Sequence, residues 1–237
     1  MGNTGSHCIQ CVRLGWTRCY FLKCNGGYLL VDVYYSGYYA KFEMKLAKMG
    51  IEVSEIEYLF LTHHHGDHAG FTMELVRHTG CRVIVHRNAL SALRQGNSEG
   101  IGKPANWRLR MGIALYSQYF ELFHKNRTFP PVILTERDIV IDGDNGEPLK
   151  EIGIDGVILH TPGHTSIGDS ISIVTSDGSA FVGDISMNFL QWMSIDHKPV
   201  YINDINIIYE SWRKLKEQGA KTIYPSHGRP FSVTELE

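Results

Sequence analysis

The sequence predicts a mixed α/β fold with a sizeable core, and three observations carry this. Strand-sized apolar runs alternate with stretches of helical periodicity along most of the 237 residues. The composition is 43% hydrophobic, 11% aromatic and 20% charged, which lets a chain of this length bury a core without disulfide staples. No apolar run approaches the ~20 residues that a membrane span needs, so the apolar content belongs to strands and helix faces.

The elements follow in chain order. Residues 8–14, 18–23 and 28–33 read as three strands, with Asn25-Gly26-Gly27 as the tight turn between the second and third. Ser36 is placed to cap a helix over 38–49 that Gly50 closes, with Phe42, Leu46 and Met49 at helical spacing. Tyr58-Leu59-Phe60-Leu61 reads as a buried strand, 68–79 as a helix stopped by Gly80, and 82–85 as another strand. Within 91–131 a long helix is expected over about 104–125, where Leu109, Ile113, Tyr116, Phe120 and Phe123 form one stripe. That window holds six basic and two acidic residues, and Pro130-Pro131 ends it. Strands are expected near 132–135, 138–141, 157–160, 170–175 and 179–182. A helix over 204–218, capped by Asn203 or Asp204 and stopped by Gly219, precedes a last strand over 221–224.

The net charge of −2 excludes a protein held to polyanions by bulk electrostatics. Gly2-Asn3-Thr4-Gly5-Ser6 is not the start of a signal peptide, so a soluble cytoplasmic protein is expected. The five cysteines, Cys8, Cys11, Cys19, Cys24 and Cys81, fit reduced thiols packed as small apolar side chains. A four-thiolate metal site from the first four is the alternative.

The chemistry concentrates in Thr62-His63-His64-His65-Gly66-Asp67-His68, between an apolar strand and a helix. Such a position splays side chains over the carboxyl end of a sheet. His63, His65, Asp67 and His68 offer three imidazoles and a carboxylate within six residues. Burying them is costly unless a cation or hydrogen bonds satisfy them, and this donor set suits zinc, iron or manganese. His64, between two ligands, should turn away as a structural or surface residue. Three later segments repeat the design of a ligand at a strand end: His164 in Thr161-Pro162-Gly163-His164-Thr165, Asp184 in Phe181-Val182-Gly183-Asp184, and His227 in Pro225-Ser226-His227-Gly228. Asp32, after Leu29-Leu30-Val31, is an early companion. His160 reads as a strand residue and Asp169 as an acid that bonds backbone.

The ordered motifs HxHxDH, TPGHT, GD and SHG resemble the metallo-β-lactamase superfamily over residues 8–230. The resemblance implies a four-layer αββα sandwich, two mixed sheets face to face with helices outside. It implies one domain over 1–237, with 91–131 as a helical insertion serving as a lid or as a packing or dimer element. It places His63, His65 and His164 on one divalent metal ion, Asp67, His68 and His227 on a second, and Asp184 between them. Zinc is expected, with manganese or iron as alternatives. Two such ions ~4 Å apart hold a bridging hydroxide that attacks a polarised substrate. Asp67 would also accept the proton, and Asp32 would orient a ligand histidine.

Fold alone does not select the reaction. Asp184 stands where true β-lactamases carry Cys or Ser, and the charge argues against a polynucleotide substrate. The expectation is a hydrolase of an ester, thioester or lactone, similar to lactonases and glyoxalase II-like enzymes. Asn188 or an insertion residue would replace the tyrosine that lactonases carry soon after the bridging acid. In the insertion, Trp107 and Tyr116 would supply apolar walls, and Arg108 and Arg110 would meet an anionic substrate group. The alternative is an oxidoreductase resembling the mononuclear-iron persulfide dioxygenases; β-lactamase or phosphodiesterase chemistry is a further one. A small-molecule substrate, no nucleic-acid or membrane partner, and a homodimer complete the expectation.

Overall fold

A computed structural model describes residues 9–98, 102–115, 128–193 and 195–237. The chain opens with a meander of β1 (Gln10–Leu14), β2 (Thr17–Cys24) and β3 (Gly27–Val31). There follow α1 (Tyr39–Met49), β4 (Ile56–Phe60), α2 (Gly66–Ala69), α3 (Thr72–Thr79), β5 (Arg82–His86), α4 (Leu90–Gln95), β6 (Lys103–Pro104), α5 (Trp107–Leu115) and β7 (Ile139–Ile141). The remainder is α6 (Glu147–Glu151), β8 (Gly156–His160), β9 (Ile171–Thr175), β10 (Ser179–Gly183), β11 (Tyr201–Ile202), α7 (Ile205–Glu217), β12 (Thr222–Pro225) and β13 (Phe231–Ser232).

One sheet has the order β1-β2-β3-β4-β5-β7, antiparallel through β3 and parallel from there on. The other has the order β13-β12-β10-β9-β8, parallel only between β10 and β12. Alternation along each strand divides the core into three. Leu29, Val31, Tyr20, Phe60 and Ile84 meet Ile158, Ile171, Ile173 and Phe181 between the sheets. On the outer face of the first sheet, Leu30, Phe21 and Leu59 pack with Phe42 and Leu46 of α1 and Leu75 of α3. On the outer face of the second, Leu159, Val174 and Val182 pack with Ile208, Trp212 and Leu215 of α7. This is the four-layer αββα sandwich. Each fully buried Leu, Ile or Phe is worth ~1.5–3 kcal/mol. A one-residue slip would exchange a strand's set between the sheets with its set under the helices, so the register is firmly held.

Several expectations change. Ser36 does not cap α1; Tyr38 holds that position without a side-chain bond. The helix expected over 68–79 is two, α2 and α3. They break at Gly70, whose Cβ, if present, would lie 2.4 Å from the Gly66 carbonyl oxygen and 2.6 Å from the Tyr34 carbonyl oxygen. Residues 132–135 form no strand, because Val132 N donates to the Leu93 carbonyl and the Val132 side chain enters the core. Of the long helix expected over 104–125, α5 occupies Trp107–Leu115. Residues 116–127, with Tyr116, Phe120 and Phe123, lie outside the described residues.

The ends of the 91–131 segment are bound into the sandwich. Asn97 and Thr128 form an antiparallel bridge, Phe129 N donates to Gly96 O, and Leu93 and Phe129 are core residues. The segment is tied again further along, where β6 pairs with β11. Cys19 is buried with its thiol toward the Val33 carbonyl, as a packed apolar side chain would be. Cys24 lies five residues further along β2, roughly 16 Å at 3.3 Å per residue, too far to share a thiolate site. Among the described residues no helix is long and apolar enough to cross a membrane.

Candidate metal centre

The chemistry-bearing residues all follow strand ends along one edge of the sandwich. Asp32 follows β3 and residues 62–68 follow β4, while His164, Asp184 and His227 follow β8, β10 and β12. The two sheets therefore each supply part of the centre. The step from β10 into Asp184 needs a glycine. Gly183 has φ 56°, and a Cβ there would sit 2.4 Å from Thr62 Oγ1.

Three groups of donor atoms converge, each within 4.8 Å: His63, His65 and His164; His63, His68 and Asp184; and Asp67, His68 and His227. In the first, His65 Nδ1 lies 3.1 Å from His63 Nε2 and 3.3 Å from His164 Nε2. In the last, His227 Nε2 lies 3.5 Å from Asp67 Oδ2, and His68 Nε2 3.8 Å from Asp67 Oδ1. Asp184 faces both sides. Its Oδ1 is 3.4 Å from His68 Nε2 and 3.2 Å from His227 Nε2, and its Oδ2 is 3.7 Å from His164 Nε2.

The opposite ring nitrogens explain why four imidazoles present Nε2. His164 Nδ1 donates to the Tyr201 carbonyl at 3.0 Å, and His227 Nδ1 to the Trp16 carbonyl at 3.3 Å. His68 Nδ1 donates to Asp32 Oδ2 at 2.8 Å. The Thr62 hydroxyl donates to Asp32 Oδ2, so its lone pair receives His63 Nδ1–H at 3.1 Å. With each Nδ1 holding a proton, the bare Nε2 lone pairs of His63 and His164 point at one space. Lone pairs that repel each other are brought together stably by a cation. A tetrahedral ion with Zn–N of ~2.0–2.1 Å spaces its nitrogens ~3.3–3.4 Å apart, which these imidazoles already match. On the other side, His68 Nε2 and Asp184 Oδ1 are buried with no hydrogen-bond partner among the described residues. The donor set and its orphaned atoms therefore fit divalent metal binding.

Asp32 is the node behind the ligands. It is fully buried at φ 59° and accepts from Thr62 N, Thr62 Oγ1, His68 Nδ1 and Ser226 Oγ at 2.8–2.9 Å. It is thus a positioning residue rather than one that meets substrate. His64 is buried, not on the surface. Its backbone N and Nδ1 both donate to Asp169 Oδ2, whose other oxygen accepts from Thr165 Oγ1 at 2.6 Å. His160 ends β8 and donates from Nε2 to the Gly168 carbonyl.

The electrostatics divide the centre. Burial and the neighbouring imidazoles hold His63 well below its ordinary value and bring His65 to about 3. Burial likewise lowers His164. On the carboxylate side burial has the same sense but is outweighed. Asp184 and Asp32 raise His68 well above its ordinary value, and Asp184 with Asp67 brings His227 to about 10. Burial would raise the two acids, yet His68 and His227 hold Asp67 and Asp184 below the usual carboxylate range. Without metal, protons on His68 and His227 thus balance the acids.

The substrate candidates are placed differently. Trp107, Arg108 and Arg110 are exposed on α5, with the Arg108 guanidinium 5.7 Å from the Trp107 ring. Asn188 is used structurally: its N donates to the His227 carbonyl and its Nδ2 to the Arg229 carbonyl, so its amide secures the His227 loop. Sequence reasoning missed the carbonyls of Trp16 and Tyr201, because a backbone acceptor has no residue signature. It also missed Thr62 and Ser226, although each adjoins a ligand motif.

Comparison with known proteins agrees with this geometry. The family model described as the metallo-beta-lactamase superfamily matches residues 15–227. A metal-dependent hydrolase of Staphylococcus carnosus is 30% identical over 112 residues, so the match spans 45% of this chain and 45% of that relative. Among solved structures, an archaeal metallo-beta-lactamase superfamily protein from Sulfolobus tokodaii aligns with TM-score 0.63 at 17% identity, over 96% of this chain and 82% of its own. A metallo-beta-lactamase family protein from Thermus thermophilus gives 0.63 at 20%, over 96% and 75%. The subclass B3 enzyme BJP-1 of Bradyrhizobium japonicum gives 0.60 at 20%, over 92% and 74%. The extent of the family match, with its ligand residues gathered along one edge of an αββα sandwich, shows that the chain belongs to the metallo-beta-lactamase superfamily.

Proposed function

We propose that the chain is a metal-dependent hydrolase that holds two divalent cations, zinc in the first instance, and opens an ester, thioester or lactone of a cytoplasmic small molecule. The observation that carries the reading is Asp184, whose two oxygens face different nitrogen sets, His164 on one side and His68 with His227 on the other. The name of the Staphylococcus carnosus relative is in keeping with it. His63, His65 and His164 would hold one cation, Asp67, His68 and His227 the other, with Asp184 between.

When bound, such ions acidify water and polarise a substrate carbonyl. The chain's own residues do the rest. The hydrogen bonds to Thr62, Asp32, Tyr201 and Trp16 fix four imidazoles in one tautomer before substrate arrives. Asp67, with 18% of its side chain exposed, is the most open acid of the set and accepts the proton from water entering the cleft. The insertion is tied beside His164 through β6 and β11 and would form a wall of the entrance, α5 offering Trp107 and Met111 to an apolar substrate part.

The test is elemental analysis of the purified protein with its His68→Ala and Asp184→Ala variants. Close to two zinc ions per chain, falling in both variants, is expected. One iron per chain, indifferent to His68→Ala, would overturn the reading in favour of persulfide oxygenation.

A further inference from the structure

Against the back of His227 lies a second cleft, of about 250 Å³. Arg13 and Arg18 reach it from the β1–β2 hairpin and Arg229 from the loop after β12, and Trp16, Asn188, Phe189 and Gly228 complete its walls. Among the described residues no carboxylate lines it. Arg13 Nε donates to the Gly15 carbonyl, and Arg18 lies 3.9 Å from the Cys11 sulfur, so neither of these contacts neutralises a guanidinium. Three like charges around so small a space repel one another. Planar guanidinium forks match the oxygens of a carboxylate or phosphate two at a time.

The cleft is built onto the metal centre. Trp16 presents its carbonyl to His227 Nδ1, and the Phe189 ring lies 6.3 Å from the His227 ring. Gly228 and Arg229 follow that ligand directly. At Gly228, φ is 104° and a Cβ would lie 2.0 Å from the Asn188 carbonyl oxygen, so glycine lets the two walls close on each other. At 250 Å³ the space is smaller than a pocket for a whole drug-sized ligand, ~300–1,000 Å³. It suits one charged group and the few carbons beside it, which Trp16 and Phe189 would cover.

We propose that this cleft binds the oxyanion group, carboxylate or phosphate, of the small molecule acted on at the metal centre. It would thereby select anionic substrates over neutral ones. The selection rests on the hydrolase reading above; the binding of an anion does not. The anion would then meet three arginines beside His227, rather than Arg108 and Arg110 of the insertion.

The test uses the zinc-loaded full chain and the variants Arg13→Gln, Arg229→Gln and the double, both positions being exposed. Elemental analysis verifies that each keeps its metal. Two readouts are taken: the ratio of kcat/KM for 4-nitrophenyl hemisuccinate over 4-nitrophenyl butyrate, and calorimetric binding of succinate and of inorganic phosphate. Each single variant should lower the ratio ~5–10-fold, through KM, and weaken anion binding by as much; the double should exceed ~30-fold. The tighter of succinate and phosphate identifies the natural group. A ratio and a Kd unchanged in the double variant would overturn the proposal, since anions would then sit on the metal ions alone. If neither ester is cleaved, only the ester branch of the hydrolase reading fails and calorimetry decides: binding weakened in the double variant sustains the anion site, whereas unaltered or absent binding overturns it.

Discussion

Asp169 Oδ2 lies 2.8 Å from His64 Nδ1, and neither side chain is exposed to solvent. The same carboxylate accepts from His64 N and Thr165 Oγ1. One buried acid therefore joins the loop that carries His63 and His65 to the turn that carries His164. The three imidazoles come from segments about a hundred residues apart in sequence, and this pair sets their spacing.

Asp169→Ala should accordingly damage metal binding without touching a ligand. Breaking a buried pair on one side costs ~3–5 kcal/mol, and losing an outer hydrogen-bond partner weakens a metal ~10–100-fold. Thermal melting and competition with a zinc chelator measure the two. Unchanged affinity would mean that the loops hold their spacing by backbone contacts alone.

Asp32→Asn separates hydrogen bonding from backbone strain. Asparagine tolerates the left-handed conformation at φ 59°. Its amide, however, offers a donor where Thr62 Oγ1, His68 Nδ1 and Ser226 Oγ all donate to Oδ2. The cation beside His68 should weaken ~10–100-fold, while the one at His63, His65 and His164 is affected less. Stepwise chelation followed by elemental analysis distinguishes the two.

Metal-free protein should have an unusual pH profile. His227 is raised from 6.5 to about 10, so its contribution is fully present below pH 6.5 and is lost as the pH rises toward 10. His65 is lowered from 6.5 to about 3, so its contribution is present above pH 6.5 and is lost as the pH falls toward 3. Melting temperature in chelator should therefore fall on both sides of near-neutral pH. Zinc should flatten the alkaline limb, since bound metal displaces the His68 and His227 protons. An alkaline limb identical with and without zinc would contradict this.

Polar substitution on α5, Trp107→Ser with Met111→Ser, should raise KM for substrates with a long apolar group at least ~3-fold, with metal content unaltered. Both side chains are more than half exposed, so the fold loses little. Metal loss would instead make the segment a support for His164 through β11.

Much of this was legible because the residue types are unusual. Three imidazoles and a carboxylate after a strand have no packing rationale, and the unbroken apolar run Tyr58-Leu59-Phe60-Leu61 reads as the buried strand that β4 is. What escaped was set by tertiary contact. The break at Gly70 comes from a close backbone approach to Tyr34 and Ser36 that helical periodicity does not encode. Val132 looked like a strand residue because it is apolar, yet its backbone is bound to Leu93. Asn188, expected near the substrate from its place after Asp184, lines the cleft behind His227, and its amide also donates to the Arg229 carbonyl, a contact that its position in the sequence does not encode.

The hairpin behind His227 has a temporal meaning. Tyr20 OH donates to the Pro225 carbonyl across 205 residues, Trp16 receives His227 across 211, and Asp32 receives Ser226 across 194. Contacts so distant along the chain form late, because closing them requires nearly all of it. On the ribosome, His63, His65, His164 and Asp184 all emerge before the segment that zips against the first strands. Metal capture by the three imidazoles can thus precede completion of the His227 side.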